Sequence, residues 1–154
     1  MNSVVQCRRN ETGTLLRQAR TVVLLLLVCS VPSVAWADVT VRIERARQRM
    51  SVDVDGVHYA SWPISTARRG YITPPGVYSP YSLQRMHYSR RYDYTPMPYS
   101  IFFTGGYAIH GTSEVRKLGR PVSHGCVRLR PDNARMLFRL VSQHGMGNTR
   151  IVVH

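Results

Sequence analysis

The chain has 154 residues, with 21 Lys and Arg against 8 Asp and Glu, which gives a net charge of +13. This length suits one domain with a real hydrophobic core and disfavours a multidomain protein. No internal repeat, linker or second domain is predicted after residue 37.

Residues 1–37 have the three-part pattern of a secretory signal peptide. Four arginines and one glutamate precede an apolar run at residues 21–31, and a small-x-small cleavage site ends at Ala37. We expect cleavage after Ala37, export to the periplasm or cell envelope, and one mature domain at residues 38–154. A membrane-anchoring helix is the alternative, although the apolar run is short for a span and Pro32 interrupts it.

The chain after residue 37 is strongly basic. Setting aside residues 1–37 leaves 17 basic and 7 acidic residues, a net charge of +10. Nucleic acid is the usual partner of such a charge, but an exported protein seldom meets it, so we expect no nucleic-acid partner. A cell envelope offers other anions, namely lipid head groups, polysaccharide phosphates and peptidoglycan carboxylates. A solvated basic surface that only aids solubility explains the charge equally well.

The first elements after residue 37 have the alternation of half-buried strands. Apolar and polar residues alternate over residues 39–43 and again over residues 50–54. Asp55-Gly56 follows, and a third run comes at residues 57–60. This dipeptide between two such runs predicts a hairpin, because both turn positions need a positive φ.

Residues 71–99 are rich in proline and tyrosine, and eight of the nine tyrosines lie between Tyr71 and Tyr107. The Thr-Pro-Pro-Gly sequence at residues 73–76 predicts a turn that resists helix formation. We interpret residues 80–98 as a long loop or irregular hairpin and favour a lid or binding loop. The alternative is a twisted hairpin whose tyrosines simply cover a sheet.

The last third of the chain contains the one convincing helix. It begins with a proline and an aspartate, which suit a helix N-terminus, and its apolar residues recur at i, i+3, i+4 and i+7. Gly145 is its predicted stop. We therefore predict a mainly β domain with one helix. The elements of this third are strands at residues 100–104 and 107–110, the helix at 131–144, and a strand at 149–153.

The three cysteines are Cys7, Cys29 and Cys126. The first two lie in the predicted signal peptide, so the mature chain would keep one thiol and form no internal disulfide. A lone thiol in an oxidising compartment is either a buried apolar residue or a reactive group.

Two histidines near Cys126 in sequence favour the reactive alternative. A thiol is a poor nucleophile until it loses its proton, and a neighbouring imidazole can accept that proton and stabilise the thiolate as an ion pair. His110 ends a predicted strand and His124 precedes Cys126 by two residues, so the residues alone leave either as the base. The backbone N–H groups of Gly125 and Cys126 are candidate donors to an oxyanion, because a glycine there permits close approach of substrate.

Each of these side chains also has a purely structural explanation. Cys126 and His110 would then belong to the core, and His124 would hydrogen-bond a turn. Zinc bound by all three is a further alternative, since imidazole and thiolate suit that ion. No Cys-x-x-Cys or His-x-x-x-His pattern accompanies them, so we expect neither a metal nor another cofactor.

Two motifs at fixed spacing point to a known family. Residues 108–112 read Ala-Ile-His-Gly-Thr, residues 123–129 read Ser-His-Gly-Cys-Val-Arg-Leu, and twelve residues separate His110 from Ser123. With the turn at residues 73–78 and the segment 97–107, these motifs resemble the catalytic domain of the L,D-transpeptidases (YkuD type), in the subgroup with arginine at position 128. The resemblance covers residues 38–154.

This resemblance implies a β-sandwich or barrel-like fold and gives roles to the motif residues. Cys126 would be the nucleophile and His110 the general base and acid. The Gly111 carbonyl would orient the His110 ring, while Ser123 and His124 would shape the site and support the oxyanion region.

Three further residues are expected to contact substrate. Arg128 would bind a peptide carboxylate or brace its loop, and Tyr99 and Tyr107 come from the segment that resembles the family's approach to its first histidine.

The implied reaction is acyl transfer on peptidoglycan. Cys126 would attack a tetrapeptide stem, release D-alanine and pass the acyl group to an amine. The amine would belong to another stem, giving a 3-3 cross-link, to an outer-membrane protein, or to a free D-amino acid. Carbapenems would act as covalent inhibitors. An L,D-carboxypeptidase, with water as acceptor, and a non-catalytic protein that binds anionic envelope polymers are the alternatives.

Overall fold

The computed structural model describes residues 38–154, so the predicted signal peptide lies outside the described residues. The first sheet has the strand order β3-β2-β1-β9-β4. The chain's last strand lies parallel to its first, while β1, β2 and β3 are antiparallel. These five strands are β1 (Val39–Glu44), β2 (Arg49–Val54), β3 (Val57–Pro63), β4 (Gly76–Tyr78) and β9 (Thr149–Val153).

The predicted hairpin at the start of this sheet is confirmed. Asp55 and Gly56 connect β2 to β3 with φ angles of 53° and 76°, as a two-residue turn between twisted strands requires. Its apolar positions point inward, since Met50 and Val52 are fully buried.

The second sheet has the order β5-β6-β7-β8 and supports the candidate site. Its last pair is parallel, and a connection containing a 3-10 turn at Val115–Lys117 joins β7 to β8. The remaining pairs are antiparallel. The strands are β5 (Ser82–Ser89), β6 (Thr95–Thr104), β7 (Tyr107–Gly111) and β8 (Val127–Leu129).

The predicted helix is α1 (Pro131–His144), which packs on β6 and β7. Pro131 and Asp132 occupy its first turn, and Gly145 ends it at φ 92° while donating its N–H to the Val141 carbonyl over 2.9 Å. Within residues 38–154, no helix is both long and apolar enough to cross a membrane.

One hydrophobic core joins the two sheets and the helix, which confirms the predicted mainly β, sandwich-like fold. It is built largely from β-branched residues, which pack well on pleated surfaces. Fully buried examples from the first sheet, the second sheet and the helix are Val41, Ile151, Ile101, Ile109, Val127 and Leu137.

Residues 80–98 were predicted to form a long loop or an irregular hairpin, and the structure shows the hairpin and corrects the loop. Strand pairing runs along β5 and β6, so residues 82–98 belong to a β-hairpin whose tip is residues 90–94. Polar and aromatic side chains hid the strand alternation because both faces of this hairpin are largely exposed.

The hairpin changes its buried face at Tyr99, which has the left-handed φ of 55°. After Tyr99, Ile101 faces the main core. Before Tyr99, Met97 packs with Phe102 on the opposite face of the sheet. A non-glycine residue pays conformational energy for such a φ, so packing must hold it there. The outer half of the hairpin thereby faces the site described next.

Candidate active site

The parallel pair β7–β8 forms the floor of a cleft. Ile109 pairs with Val127, and His110 pairs with Arg128. Because side chains alternate along a strand, Ile109 and Val127 enter the core while His110 and Arg128 face the opposite side. Cys126 immediately precedes β8, so it lies diagonally from His110 on that same side, a placement within reach of side-chain contact.

The cleft has a volume of about 1080 Å³ and brings together most of the predicted site residues. The β5–β6 hairpin and residues 70–72 supply its walls. Gly111 and Gly125 are not part of its lining, and their backbone groups hydrogen-bond His110 and Ser123. The predicted residues that line the cleft are Tyr107, His110, Ser123, His124, Cys126 and Arg128.

His110 is buried, and its tautomer is fixed by one hydrogen bond. Its Nδ1 lies 2.7 Å from the Gly111 carbonyl oxygen, which can only accept, so Nδ1 carries the proton and Nε2 is the basic nitrogen. The pKa of His110 is lowered to about 4, chiefly by burial and in smaller part by the charges of Arg128 and His87, against the opposing effect of the Gly111 bond. The ring is therefore neutral at physiological pH.

The Cys126 thiol is also neutral in the resting site. Burial raises its pKa above the ordinary value for cysteine, and this outweighs a backbone hydrogen bond from Ala108 and the charge of Arg128, both of which lower it. A preformed thiolate–imidazolium pair, which the sequence left open, does not fit these directions.

The loop that carries Cys126 is held by the Ser123 hydroxyl. Its Oγ donates to the Cys126 carbonyl over 2.6 Å and accepts the Gly125 N–H over 3.0 Å. The prediction that Gly125 supplies an oxyanion donor is therefore wrong for this geometry, since that N–H is already bonded. Among the hydrogen bonds of residues 38–154, none engages the Cys126 N–H, which leaves it as the candidate donor.

Thr73 is a supporting residue whose contact the sequence did not predict. It is buried, its Oγ1 donates to the Gly125 carbonyl over 2.8 Å, and the same atom accepts the Ala67 N–H over 3.1 Å. The sequence predicted a turn at residues 73–76 but gave Thr73 no role in the site. A buried hydroxyl needs a hydrogen-bond partner, so burial of this threonine would have indicated a polar partner elsewhere in the chain.

His124 is held between two tyrosines rather than aimed at the nucleophile. Tyr92 of the hairpin tip stacks on its ring at 4.5 Å between centroids, and Tyr71 meets it edge-on at 4.8 Å. The role of His124 in shaping the site thus has a concrete form, because it anchors the hairpin tip to the motif. The cluster of tyrosines in residues 71–107 was the sequence signal for this contact.

Arg128 braces a neighbouring loop while it lines the cleft. Its Nη1 donates to a Glu114 carboxylate oxygen over 2.6 Å, and Lys117 forms a second ion pair with Glu114. Of the two roles expected for Arg128, this contact supports bracing and leaves the remaining guanidinium donors facing the cleft.

Tyr99 is the one predicted substrate contact that the structure places elsewhere. It packs against Phe138 of α1 with ring centroids 5.9 Å apart, and it lines a separate groove with Arg85, Arg135 and Arg139. The left-handed backbone turns its side chain away from the cleft.

Within residues 38–154, no three His, Cys, Asp or Glu side chains gather closely enough to hold a metal ion.

Comparison with known proteins identifies the domain. The family model of the L,D-transpeptidase catalytic domain (YkuD) matches residues 38–153, which is most of the chain.

The chain belongs to the L,D-transpeptidase family.

Similar proteins agree with this membership of the L,D-transpeptidase family. The probable L,D-transpeptidase YbiS of Escherichia coli K12 is 46% identical over 43 residues, covering 28% of this chain and 14% of that protein. The L,D-transpeptidase of Mycobacterium smegmatis superposes with a TM-score of 0.70 at 24% identity, over 77% of this chain and 59% of that one. L,D-transpeptidase 3 of Mycobacterium tuberculosis, solved with a faropenem-derived adduct, gives 0.67 at 22% identity, over 77% and 60%.

The chain spans about three fifths of the solved L,D-transpeptidases that it matches. Their likeness in structure therefore concerns the catalytic domain, and at these identities it shows a shared fold.

Gly125 of this L,D-transpeptidase domain should tolerate no larger side chain. Its φ is 131°, and a Cβ there would lie 2.4 Å from a Tyr107 ring carbon and 2.9 Å from the Ile72 carbonyl oxygen. We expect Gly125→Ala to destabilise the fold by about 1–3 kcal/mol and to displace the nucleophile. Thermal unfolding and the rate of Cys126 acylation would measure both effects.

A matched control for this substitution is Gly147→Ala. A Cβ at Gly147 would meet no atom within 4 Å, and that residue has no left-handed φ. Equal behaviour of the two variants would contradict the assigned steric role of Gly125.

Proposed function

We propose that this chain is an exported peptidoglycan L,D-transpeptidase in which Cys126 is the nucleophile and His110 is the general base and acid. The observation that carries the proposal is the His110–Gly111 hydrogen bond of 2.7 Å. It leaves Nε2 as the basic nitrogen of a buried, neutral histidine that shares one cleft wall with the lone thiol of residues 38–154.

The first half of the reaction forms a thioester. As the Cys126 sulfur attacks the carbonyl of the diamino acid at stem position three, its proton passes to His110 Nε2. The Cys126 N–H donates to the oxyanion of the tetrahedral intermediate. Collapse breaks the carbon–nitrogen bond, the proton on His110 passes to the leaving amine, and D-alanine departs.

The second half returns the enzyme to its starting state. An amine attacks the thioester carbonyl and gives its proton to His110 Nε2, and the carbon–sulfur bond breaks as the thiolate takes up that proton. An amine from a second stem gives a 3-3 cross-link, and an amine from an envelope protein gives attachment of that protein. Water in the same position would make the chain an L,D-carboxypeptidase.

Export belongs to this proposal because the substrate lies outside the cytoplasm. The basic and apolar segments of residues 1–37, followed by a small-x-small site, support it. The net charge of +10 after residue 37 suits an environment of anionic wall polymers and membrane lipids.

The proposed function is tested by incubating the purified protein with a tetrapeptide stem. We expect released D-alanine, a protein mass increased by the tripeptide acyl group, and a cross-linked dimer when a second stem is supplied. Release of free tripeptide alone would identify the carboxypeptidase. Failure to release D-alanine or to form an acyl-protein would contradict the enzyme and favour the envelope-binding alternative.

A further inference from the structure

The hairpin tip brings positive charge to the rim of the cleft. Arg90 and Arg91 line the cleft beside Arg128, and no Asp or Glu among residues 38–154 is part of that lining. Within the same described residues, neither Arg90 nor Arg91 forms a salt bridge, whereas Arg128 is paired with Glu114. Asp93 also belongs to the tip, but it is exposed and outside the cleft.

A row of three stacked or edge-on rings with an arginine at each end connects the hairpin tip to the motif. The Arg91 guanidinium lies 5.7 Å from the centre of the Tyr92 ring, and Tyr92 stacks on His124. On the other side of His124 stands Tyr71, with the Arg68 guanidinium 5.0 Å from its centre. Such contacts are attractive at short range, so Arg91 has a defined place beside the motif, and Arg90 lines the cleft next to it in the chain.

The arginines create a positive electrostatic potential that lowers the pKa of nearby histidines. The pKa of His124 is lowered first by burial and then by the charges of Arg68, Arg128 and Arg91. Arg128 lowers the pKa of His110 in the same way. A negatively charged group would therefore be stabilised electrostatically on entering this cleft.

We propose that Arg90 and Arg91 select donor stems whose third residue carries a free side-chain carboxylate rather than a carboxamide. This inference rests on the proposed function. A guanidinium binds a carboxylate through paired, charge-assisted hydrogen bonds, and a neutral amide cannot replace both of them. The tip arginines have no acidic partner of their own in residues 38–154, so a substrate carboxylate would fill that place.

The experiment compares two synthetic tetrapeptide donors that differ only in that group, one with the free carboxylate and one with the carboxamide. We expect the wild-type protein to use the carboxylate donor with a kcat/KM about tenfold higher. The double variant R90Q/R91Q should raise KM for the carboxylate donor by about that factor, leave kcat nearly unchanged and use both donors equally.

The matched control is R135Q/R139Q, which removes the same charge from α1. Both residues line the groove beside Tyr99 and not the cleft, so the preference should persist. A general charge effect would weaken both variants alike and overturn the selection by Arg90 and Arg91. Equal use of both donors by the wild-type protein would overturn it as well.

A separate measurement distinguishes failure of the proposed function from failure of the donor selection. Alkylation of Cys126 by neutral iodoacetamide shows that the thiol is accessible without requiring any stem. If Cys126 is alkylated in one sample while an untreated sample of the same protein releases D-alanine from neither donor, the proposed function and this inference are overturned together. Use of both donors at the same rate would overturn the inference alone.

Discussion

Cys126→Ala should prevent the covalent adduct that we expect the carbapenem imipenem to form with the wild-type protein, and should stop the expected release of D-alanine from stem peptides. The reason is chemical, because Cys126 is the free cysteine of residues 38–154 and alanine offers no nucleophile. The fold should survive, since Cys126 only partly packs with Met97, Phe102 and Ala108. We expect a change in the free energy of unfolding of about 1 kcal/mol, measured by denaturant titration.

Cys126→Ser is the control for shape, since it keeps the side-chain geometry and offers a far weaker nucleophile. It should unfold like the wild-type protein and acylate far more slowly. Peptide mapping after imipenem treatment locates the modified residue, which matters because the full chain also contains Cys7 and Cys29. An adduct that persists in Cys126→Ala would sink the assignment of the nucleophile.

The parts of the fold with clear periodicity were predictable from sequence. Asp55-Gly56 determined the first hairpin because few dipeptides accept two positive φ angles, and the apolar spacing of α1 together with Gly145 determined its ends. The strand β8 was missed as an element because three residues are too few for periodicity to show. Its pairing with β7 depends on contacts between distant parts of the chain.

The sequence predicted which residues line the cleft, and it did not predict their electrostatics. The motifs brought His110 and Cys126 together, but burial decides their protonation, and no sequence pattern reports burial of this kind. The same limit applies to Gly125, whose N–H bonds to Ser123 two residues away. Tyr99 was misplaced because one left-handed φ reverses the face of its strand.

The neutral resting pair has a consequence for selectivity. An ionised thiolate would react with any electrophile that enters the cleft, whereas a neutral thiol reacts only when His110 can take its proton during attack. In the proposed mechanism, positioning of the substrate carbonyl would therefore control the rate. Thr73 and Ser123, which fix the nucleophile loop through Gly125 and Cys126, are the residues that set this position.

His110→Ala should slow acylation by imipenem and by stem peptides by about two to four orders of magnitude, because the base and acid of both half-reactions is lost. His124→Ala is the matched control, since His124 anchors the hairpin tip between Tyr71 and Tyr92. This substitution should slow acylation much less. Stopped-flow or mass-based acylation rates measure both. A larger loss from His124→Ala than from His110→Ala would transfer the role of base to His124.

The pH dependence gives His110 a second, independent test. Because burial holds its pKa to about 4 instead of 6.5, the acidic limb of the wild-type acylation rate should lie near pH 4. Between these two pH values the unfolded chain binds more protons at this histidine than the folded one, so stability falls as pH falls from 6.5 towards 4. His110→Gln should lose that part of the stability change, and unfolding measured beside the rate separates denaturation from protonation. An acidic limb near the ordinary pKa of histidine would mean that the catalytic imidazole is exposed, and would contradict a buried neutral base.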